Sequence, residues 1–225
     1  MSGKKYNAIK EKIGTQPMGF AAAAQILIEH SAAKFDQTVE LHINLGVDAK
    51  KSEQTVRGSV SLPHGTPKQK KVVVLSGTAA KQKAALAAGA VKAGGEELID
   101  EIIKHGGIDA DVIVATPDMM PKIAKAAKIL GPKGLMPNPK NGTVTPDPDK
   151  AVAELAGGKI SFKMDTSGNI HEGIAKISWD AAKVVANAQA LLQAVKAARP
   201  GNQRGEYIKK IVLKSTMSPA IQIVI

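Results

Sequence analysis

Two textures of hydrophobic patterning divide the chain. From Thr38 to Leu45 apolar and polar residues alternate: Val39, Leu41, Ile43 and Leu45 point one way, Thr38, Glu40, His42 and Asn44 the other. A period of two predicts a half-buried strand whose polar face is open to a partner, and we read this strand over Phe35–Leu45. Val56, Gly58, Val60 and Leu62 repeat the pattern until Pro63 stops it. Ahead of these strands lie a basic lead-in with a short helix within Ser2–Lys12, then Phe20, Ala24, Leu27 and Ile28 at helical spacing. For that second helix Thr15 or Gln16 serves as cap, Pro17 opens the first turn, and the end falls near Ala33. At Val72 the texture changes. Val72–Leu75 and Asp111–Ala115 are continuous apolar runs, the mark of strands buried on both faces. Helices are predicted over Ala79–Ala88, Glu96–Lys104, Pro117–Leu130 and Asp149–Ala156, with a short strand at Ala90–Lys92. Half-buried patterning then returns. Strands are predicted at Lys159–Met164, Ile170–Ser178, Tyr207–Leu213 and Ala220–Ile225, a tight turn at Asp165–Gly168, a helix over Asp180–Ala198, and a loop at Lys214–Pro219.

The two ends therefore share a texture that the middle lacks. Strands alternating with helices in the middle imply a parallel, three-layer α/β unit, whereas the flanks read as α+β. The expected architecture is one α+β domain made of 1–67 and 160–225, interrupted by an α/β insertion over 68–159. The insertion holds 14 basic and 10 acidic residues, or +4, and the remainder 17 and 10, or +7, so the discontinuous domain is the more basic.

The chain's net charge of +11 is the footprint of a nucleic-acid or other polyanion binder. With 3 Phe, 2 Tyr and 1 Trp, contacts to phosphates and 2′-hydroxyls are favoured over base stacking. The lack of Cys removes disulfides, Cys-ligated zinc and thiol catalysis. No apolar run reaches the length of a membrane span. The lysines ahead of Met18–Ile28 outline an export signal, but Gln25 interrupts that run and Glu29 and His30 close it, which favours a cytoplasmic protein. No P-loop and no Gly-x-Gly-x-x-Gly follows a strand, so the α/β unit lacks a nucleotide fingerprint. His30, His42, His64, His105 and His171 each stand alone at the spacings metals use. We therefore expect no catalytic residues, no metal and no cofactor. A small-molecule enzyme or sensor built on the central α/β unit has only the fold pattern behind it.

One stretch stands apart. Gly131–Thr145, GPKGLMPNPKNGTVT, has too many Pro and Gly for helix or central strand and must be a shaped loop. It presents Lys133 and Lys140, and Asn141-Gly142 reads as a turn with positive φ.

Taken together, GPKGLMPNPKNGTV (Gly131–Val144), VRGSVSLPHG (Val56–Gly65), GGEELI (Gly94–Ile99), VATPD (Val114–Asp118), GNIH (Gly168–His171) and STM (Ser215–Met217) closely resemble the ribosomal protein L-one family, in order and over nearly the whole chain. The resemblance implies a discontinuous ferredoxin-like α+β domain interrupted by a Rossmann-like three-layer α/β domain. It implies a non-enzymatic, cytoplasmic ribosomal protein, monomeric within the ribosome, that binds large-subunit rRNA at the mobile side stalk. It further implies help in releasing deacylated tRNA from the exit site and repression of translation of its own operon mRNA. The rRNA-binding residues it suggests are Lys34, Phe35, Thr38, Glu40, His171, Thr216, Met217 and Ser218. Lys133 and Lys140 become candidates for a tRNA-facing or interdomain loop. Ser218 stands where the family pattern has Gly; its Cβ penalises positive φ and would crowd a close backbone approach to RNA.

Overall fold

The computed structural model describes residues 3–13, 16–30, 33–47, 55–68, 70–201, 203 and 205–224. These fall into two compact units, one made of 1–67 with 160–225, the other of 68–159.

In the first unit, α1 (Lys4–Ile13) and α2 (Phe20–Glu29) precede β1 (Thr38–Leu45) and β2 (Arg57–Ser61). After the second unit come β6 (Lys159–Lys163), β7 (Asn169–Lys176), α8 (Ala181–Ala197), β8 (Ile208–Ser215) and β9 (Ile221–Ile223). A four-stranded sheet runs β7-β1-β8-β9, and β2 pairs with β6 in a second, two-stranded sheet. β1 is antiparallel to both neighbours, with Leu41 opposite Glu172 on β7 and Leu213 on β8. Its alternation is realised: Val39, Leu41, Ile43 and Leu45 are buried, and every intervening residue is partly exposed. The buried row joins Ala23, Ala24 and Leu27 of α2 and Val184, Ala188, Leu191 and Val195 of α8 in one core. Helices thus cover one face of the sheet, and burying a row of such side chains contributes roughly 1.5–3 kcal/mol for each.

The second unit contains β3 (Val72–Leu75), α3 (Ala79–Ala87), β4 (Lys92–Gly94), α4 (Glu96–Lys104), β5 (Val112–Ala115), α5 (Met120–Ile123), α6 (Ala127–Leu130) and α7 (Pro148–Ala156). Its sheet is parallel, in the order β4-β3-β5. Val73 and Leu75 of β3 pack with α4 and the 117–130 stretch, while Val72 and Val74 pack with α3 and α7. Consecutive side chains of one strand therefore feed two cores, which is why Val72–Leu75 is apolar throughout.

Several element boundaries differ from the sequence reading. The second helix starts at Phe20, because Pro17 and Met18 belong to an extended entry. Met18 N–H donates to the Gln222 carbonyl at 3.0 Å, and Val224 N–H donates to Met18 at 3.0 Å, which adds a parallel bridge to β9. The proposed cap Thr15 lies outside the described residues, and the helix stops at Glu29 rather than near Ala33. Phe35–Gln37 is not strand; ladder pairing begins at Thr38. The short strand near residue 90 lies two residues later, at Lys92–Gly94. Pro117–Leu130 is no single helix: 3-10 turns at Pro117–Met119 and Ala124–Ala126 alternate with α5 and α6. Pro121 has no N–H for the Pro117 carbonyl, and Met120 bonds to that carbonyl instead, tightening the turn. β8 runs on to Ser215, so the loop expected over Lys214–Pro219 is a tight turn.

The Gly131–Thr145 loop is closed by its own hydrogen bonds. Asn138 N–H donates to Thr143 Oγ1 (2.8 Å), and Thr143 N–H donates to the Asn138 carbonyl (3.3 Å). Gly142 has φ of 70°, which only glycine adopts without strain. Val144 then bridges in parallel to Ala115 at the end of β5. Leu135 and Met136 pack against the core beside α4, so the middle of the loop is anchored rather than loose.

Candidate nucleic-acid interface

The face of the four-stranded sheet away from α2 and α8 is polar, and the ladder register decides which residues share it. Thr38 stands opposite Lys176, Glu40 opposite Gly173 and Lys214, His42 opposite His171 and Val212, and Asn44 opposite Asn169 and Lys210. Directly opposed residues in an antiparallel pair point the same way. Three lysines, two histidines and one carboxylate therefore share a face.

At the Thr38 end, the chain entering β1 meets the turn leaving β8. Thr216 N–H donates to the Thr38 carbonyl (3.2 Å), and Thr38 N–H donates to Thr216 Oγ1 (3.3 Å). Ser218 N–H donates to the Ser215 carbonyl (3.2 Å), closing a four-residue turn. Lys176 Nζ donates to Thr38 Oγ1 (3.1 Å) and to the Asp36 carbonyl (3.3 Å). Asp36 is itself held by Ser178, whose N–H and hydroxyl reach its carboxylate at 3.2 and 3.0 Å. These contacts fix the approach to β1 while leaving Phe35 54% and Met217 58% exposed. Both side chains are therefore open to a partner on a backbone that is held in place. Gly173 gives the corner its room: a Cβ there would lie 3.1 Å from Thr38 Cγ2.

Thr38, Glu40, Thr216, Met217 and Ser218 are thus brought together, with Lys34 and Phe35 on the exposed segment just ahead. Glu40 is not an open acceptor, since it lies 3.6 Å from Lys214 Nζ. His171 shares the face but faces His42, four residues along β1 from Thr38, or about 13 Å at strand rise. Ser218 does not take the conformation that its replacement of Gly suggested. No non-glycine residue among those described has positive φ. Its hydroxyl instead accepts from Ser215 N–H (2.8 Å) and reaches the Pro219 carbonyl (3.0 Å), so it closes the turn from within. Lys133 Nζ donates to the Gly106 carbonyl (2.9 Å), just past the C-terminus of α4, where a cation is favoured. The side chain of Lys140 lies outside the described residues.

Contrary to the sequence reading, His42 and His171 are not alone. Their Nδ1 atoms are 2.6 Å apart, with the rings edge to face. Register across β1 and β7, 129 residues apart in sequence, makes the pair; neither residue's neighbours hint at it. No group of three or more His, Cys, Asp or Glu among the described residues is arranged to hold a metal ion. Burial first, then His171 and Lys214, hold His42 below its ordinary pKa, while Glu40 opposes them. Asp165 lies 3.5 Å from His171 Nε2. The folded chain therefore resists a proton that the unfolded chain accepts. The stability that His42 contributes is complete above about pH 6.5, the ordinary value of a histidine, and declines as the pH falls below it. We expect the urea midpoint to drop between about pH 7.5 and pH 5.5, and the drop to shrink in His42→Gln. An unchanged drop in that variant would assign the acid sensitivity to other groups.

In the second unit, a cavity of about 440 Å³ opens beside the ends of β3 and β4, lined by Gly77, Gln82, Gly94, Gly95, Glu96 and Lys122, among others. That is where α/β sheets bind nucleotides. Here Glu96 and Glu97 occupy the first turn of α4, and Lys122 is tied to Glu96. Two carboxylates at the helix N-terminus repel the phosphate such a site would hold.

The family model described as the ribosomal protein L1p/L10e family matches residues 27–219. The protein from Persephonella marina described as large ribosomal subunit protein uL1 is 52% identical over 190 residues, 84% of this chain and 78% of its own length. Proteins of the same description from Solibacter usitatus and Mycobacteroides abscessus are 43% and 44% identical, over 98% and 99% of this chain and 93% and 94% of their own. The interface residues from Lys34 to Ser218 lie within the matched span, and the chain belongs to the ribosomal protein L1p/L10e family.

Proposed function

We propose that this chain is a structural, non-enzymatic constituent of the large ribosomal subunit in the cytoplasm, and that it binds rRNA of the mobile side stalk through the first unit. The single observation that carries the RNA surface is the turn Ser215–Ser218. It is tied to Thr38 by backbone and hydroxyl bonds, presents Thr216 and Met217 outward, and borders a face that carries Lys176 and Lys214. A small hydroxyl beside a flexible apolar side chain suits a ribose: one group bonds a 2′-hydroxyl, the other packs the sugar. The lysines supply phosphate attraction. In this reading the discontinuous unit is the ferredoxin-like rRNA-binding domain. The 68–159 unit is the Rossmann-like domain, and its Gly131–Thr145 loop, with Lys133 and Lys140, faces exit-site tRNA during release. Repression of the chain's own operon mRNA follows if that mRNA displays the same RNA shape.

Two measurements test this. The full chain should co-sediment with large subunits stripped of their own copy, at moderate salt. Thr216→Val should weaken binding to a side-stalk rRNA fragment by about 1–3 kcal/mol, by leaving a buried RNA hydroxyl unpaired. An unchanged dissociation constant would reduce the turn to a structural element. For the tRNA role, Lys133→Ala with Lys140→Ala should slow tRNA release and spare rRNA affinity.

A further inference from the structure

The turn that presents Thr216 and Met217 rests on a residue with no surface of its own. Gln37 is 1% exposed and sits just ahead of β1. Its side-chain oxygen accepts two hydrogen bonds from the far end of the chain: the Ser215 hydroxyl at 3.0 Å and the Met217 N–H at 2.9 Å. Its carbonyl accepts Ile177 N–H at 2.9 Å, so its backbone is tied to the end of β7 as well. The amide oxygen has two acceptor sites, and both are filled. Burial excludes water that could replace either donor.

We propose that Gln37 is a positioning residue for RNA recognition: its buried side-chain oxygen gathers Ser215 and Met217 into one turn and so sets the Met217 side chain in its binding orientation, beside a Thr216 hydroxyl that Thr38 holds. The inference rests on the RNA reading above and adds a residue that does not itself touch RNA. Met217 is more than half exposed, and its only tie to the interior among the bonds described here is the N–H held by Gln37. Without that acceptor the Met217 N–H must turn toward water, while Thr216 stays tied to Thr38. An RNA ligand would then have to order Met217, which the free protein now holds in place, and ordering backbone is costly. Ser218 supports the turn from the other side by accepting Ser215 N–H, so Ser215 is held at both its amide and its hydroxyl. The choice of an amide also fits. It accepts two bonds without placing a negative charge under a face meant for phosphates.

The test compares the full-length chain with Gln37→Met, which keeps length and loses the acceptor, and Gln37→Glu, which keeps the acceptor. Affinity for a side-stalk rRNA fragment is measured across a salt series, and exchange of the Met217 amide is followed by NMR in the free proteins. Gln37→Met should bind about 10–100-fold more weakly at any one salt concentration, with the salt slope unchanged because no phosphate contact is lost. Its Met217 amide should exchange faster. Gln37→Glu should keep the Met217 amide more protected than Gln37→Met does, because the acceptor remains, while losing some affinity through the negative charge it places under the phosphate-facing surface. Ser215→Ala, which removes one of the two donors, gives a smaller loss of the same kind and serves if Gln37→Met does not fold. Parent-like binding by Gln37→Met, or weakened binding with Met217 protection intact, overturns the proposal. Failure of the parent chain to bind the fragment overturns the RNA reading itself and is seen before any variant is compared.

Discussion

Affinity for side-stalk rRNA should fall about 10³–10⁵-fold between 50 and 200 mM monovalent salt, the effect of releasing counterions from roughly 6–10 neutralised phosphates. The chain carries 31 Lys and Arg against 20 Asp and Glu. In the first unit Lys176, Lys210 and Lys214 share the polar sheet face, which α1 flanks beside Lys210, and Lys34 is exposed ahead of it. Aromatic stacking, which resists salt, has little to draw on: Phe35 is the one exposed large aromatic among the described residues. Individual variants should divide accordingly. Lys34→Ala should weaken binding to all sequences and lower the salt slope by about one, whereas Thr216→Val should leave the slope alone. Equilibrium binding across a salt series separates the two. An affinity that held constant over that range would remove phosphate contact as the main source of binding.

Phe162→Ala should destabilise the first unit by about 3–5 kcal/mol. Phe162 is 1% exposed and belongs to the core that α2, α8 and the four-stranded sheet enclose. Its ring lies against Gly58 of β2, where a Cβ would come within 2.9 Å of Phe162 Cζ. The glycine and the ring are therefore one packing unit, and removing the ring leaves a void that β2 alone cannot fill. Gly58→Val, normally favourable in a strand, should cost about 1–3 kcal/mol through overpacking. Combined with Phe162→Leu it should cost less than the sum of the two single changes. Trp179, the chain's single tryptophan, packs against this core, so its fluorescence in urea reads the change directly. A loss below about 1 kcal/mol for Phe162→Ala would mean that the surrounding side chains close over the space.

Much of the fold was legible because its signals are local. The alternation of Val39, Leu41, Ile43 and Leu45 reports a face, and the unbroken Val72–Leu75 reports two. The Asp165–Gly168 turn needs only Asp165, which accepts N–H bonds from Ser167 (2.8 Å) and Asn169 (2.7 Å), and a glycine with φ of 82°. Helix α4 follows from acids at its start and Lys104 at its end. Where local signals compete with pairing elsewhere, the sequence reading slipped. Met18 looked like helix until its backbone paired with β9, and Lys214–Ser215 looked like loop until β1 extended the ladder. The candidate site was half legible. Thr38, Thr216 and Met217 came from family resemblance. Gln37 and Lys176 were missed, because nothing near either in sequence marks a buried acceptor or a cation aimed at Thr38.

By itself, then, the sequence determined the alternation of elements, the two textures that separate 68–159 from its flanks, the basic charge and the family. Each is encoded within a few residues, in summed composition or in ordered motifs. The tertiary structure alone decided that Thr216 bonds to Thr38, that Gln37 carries the turn around Met217, that His42 meets His171 and that Gly58 makes room for Phe162. Each of these joins residues about 100 to 180 positions apart in the sequence. Strand register and core packing set those distances, and neither is written at any one position.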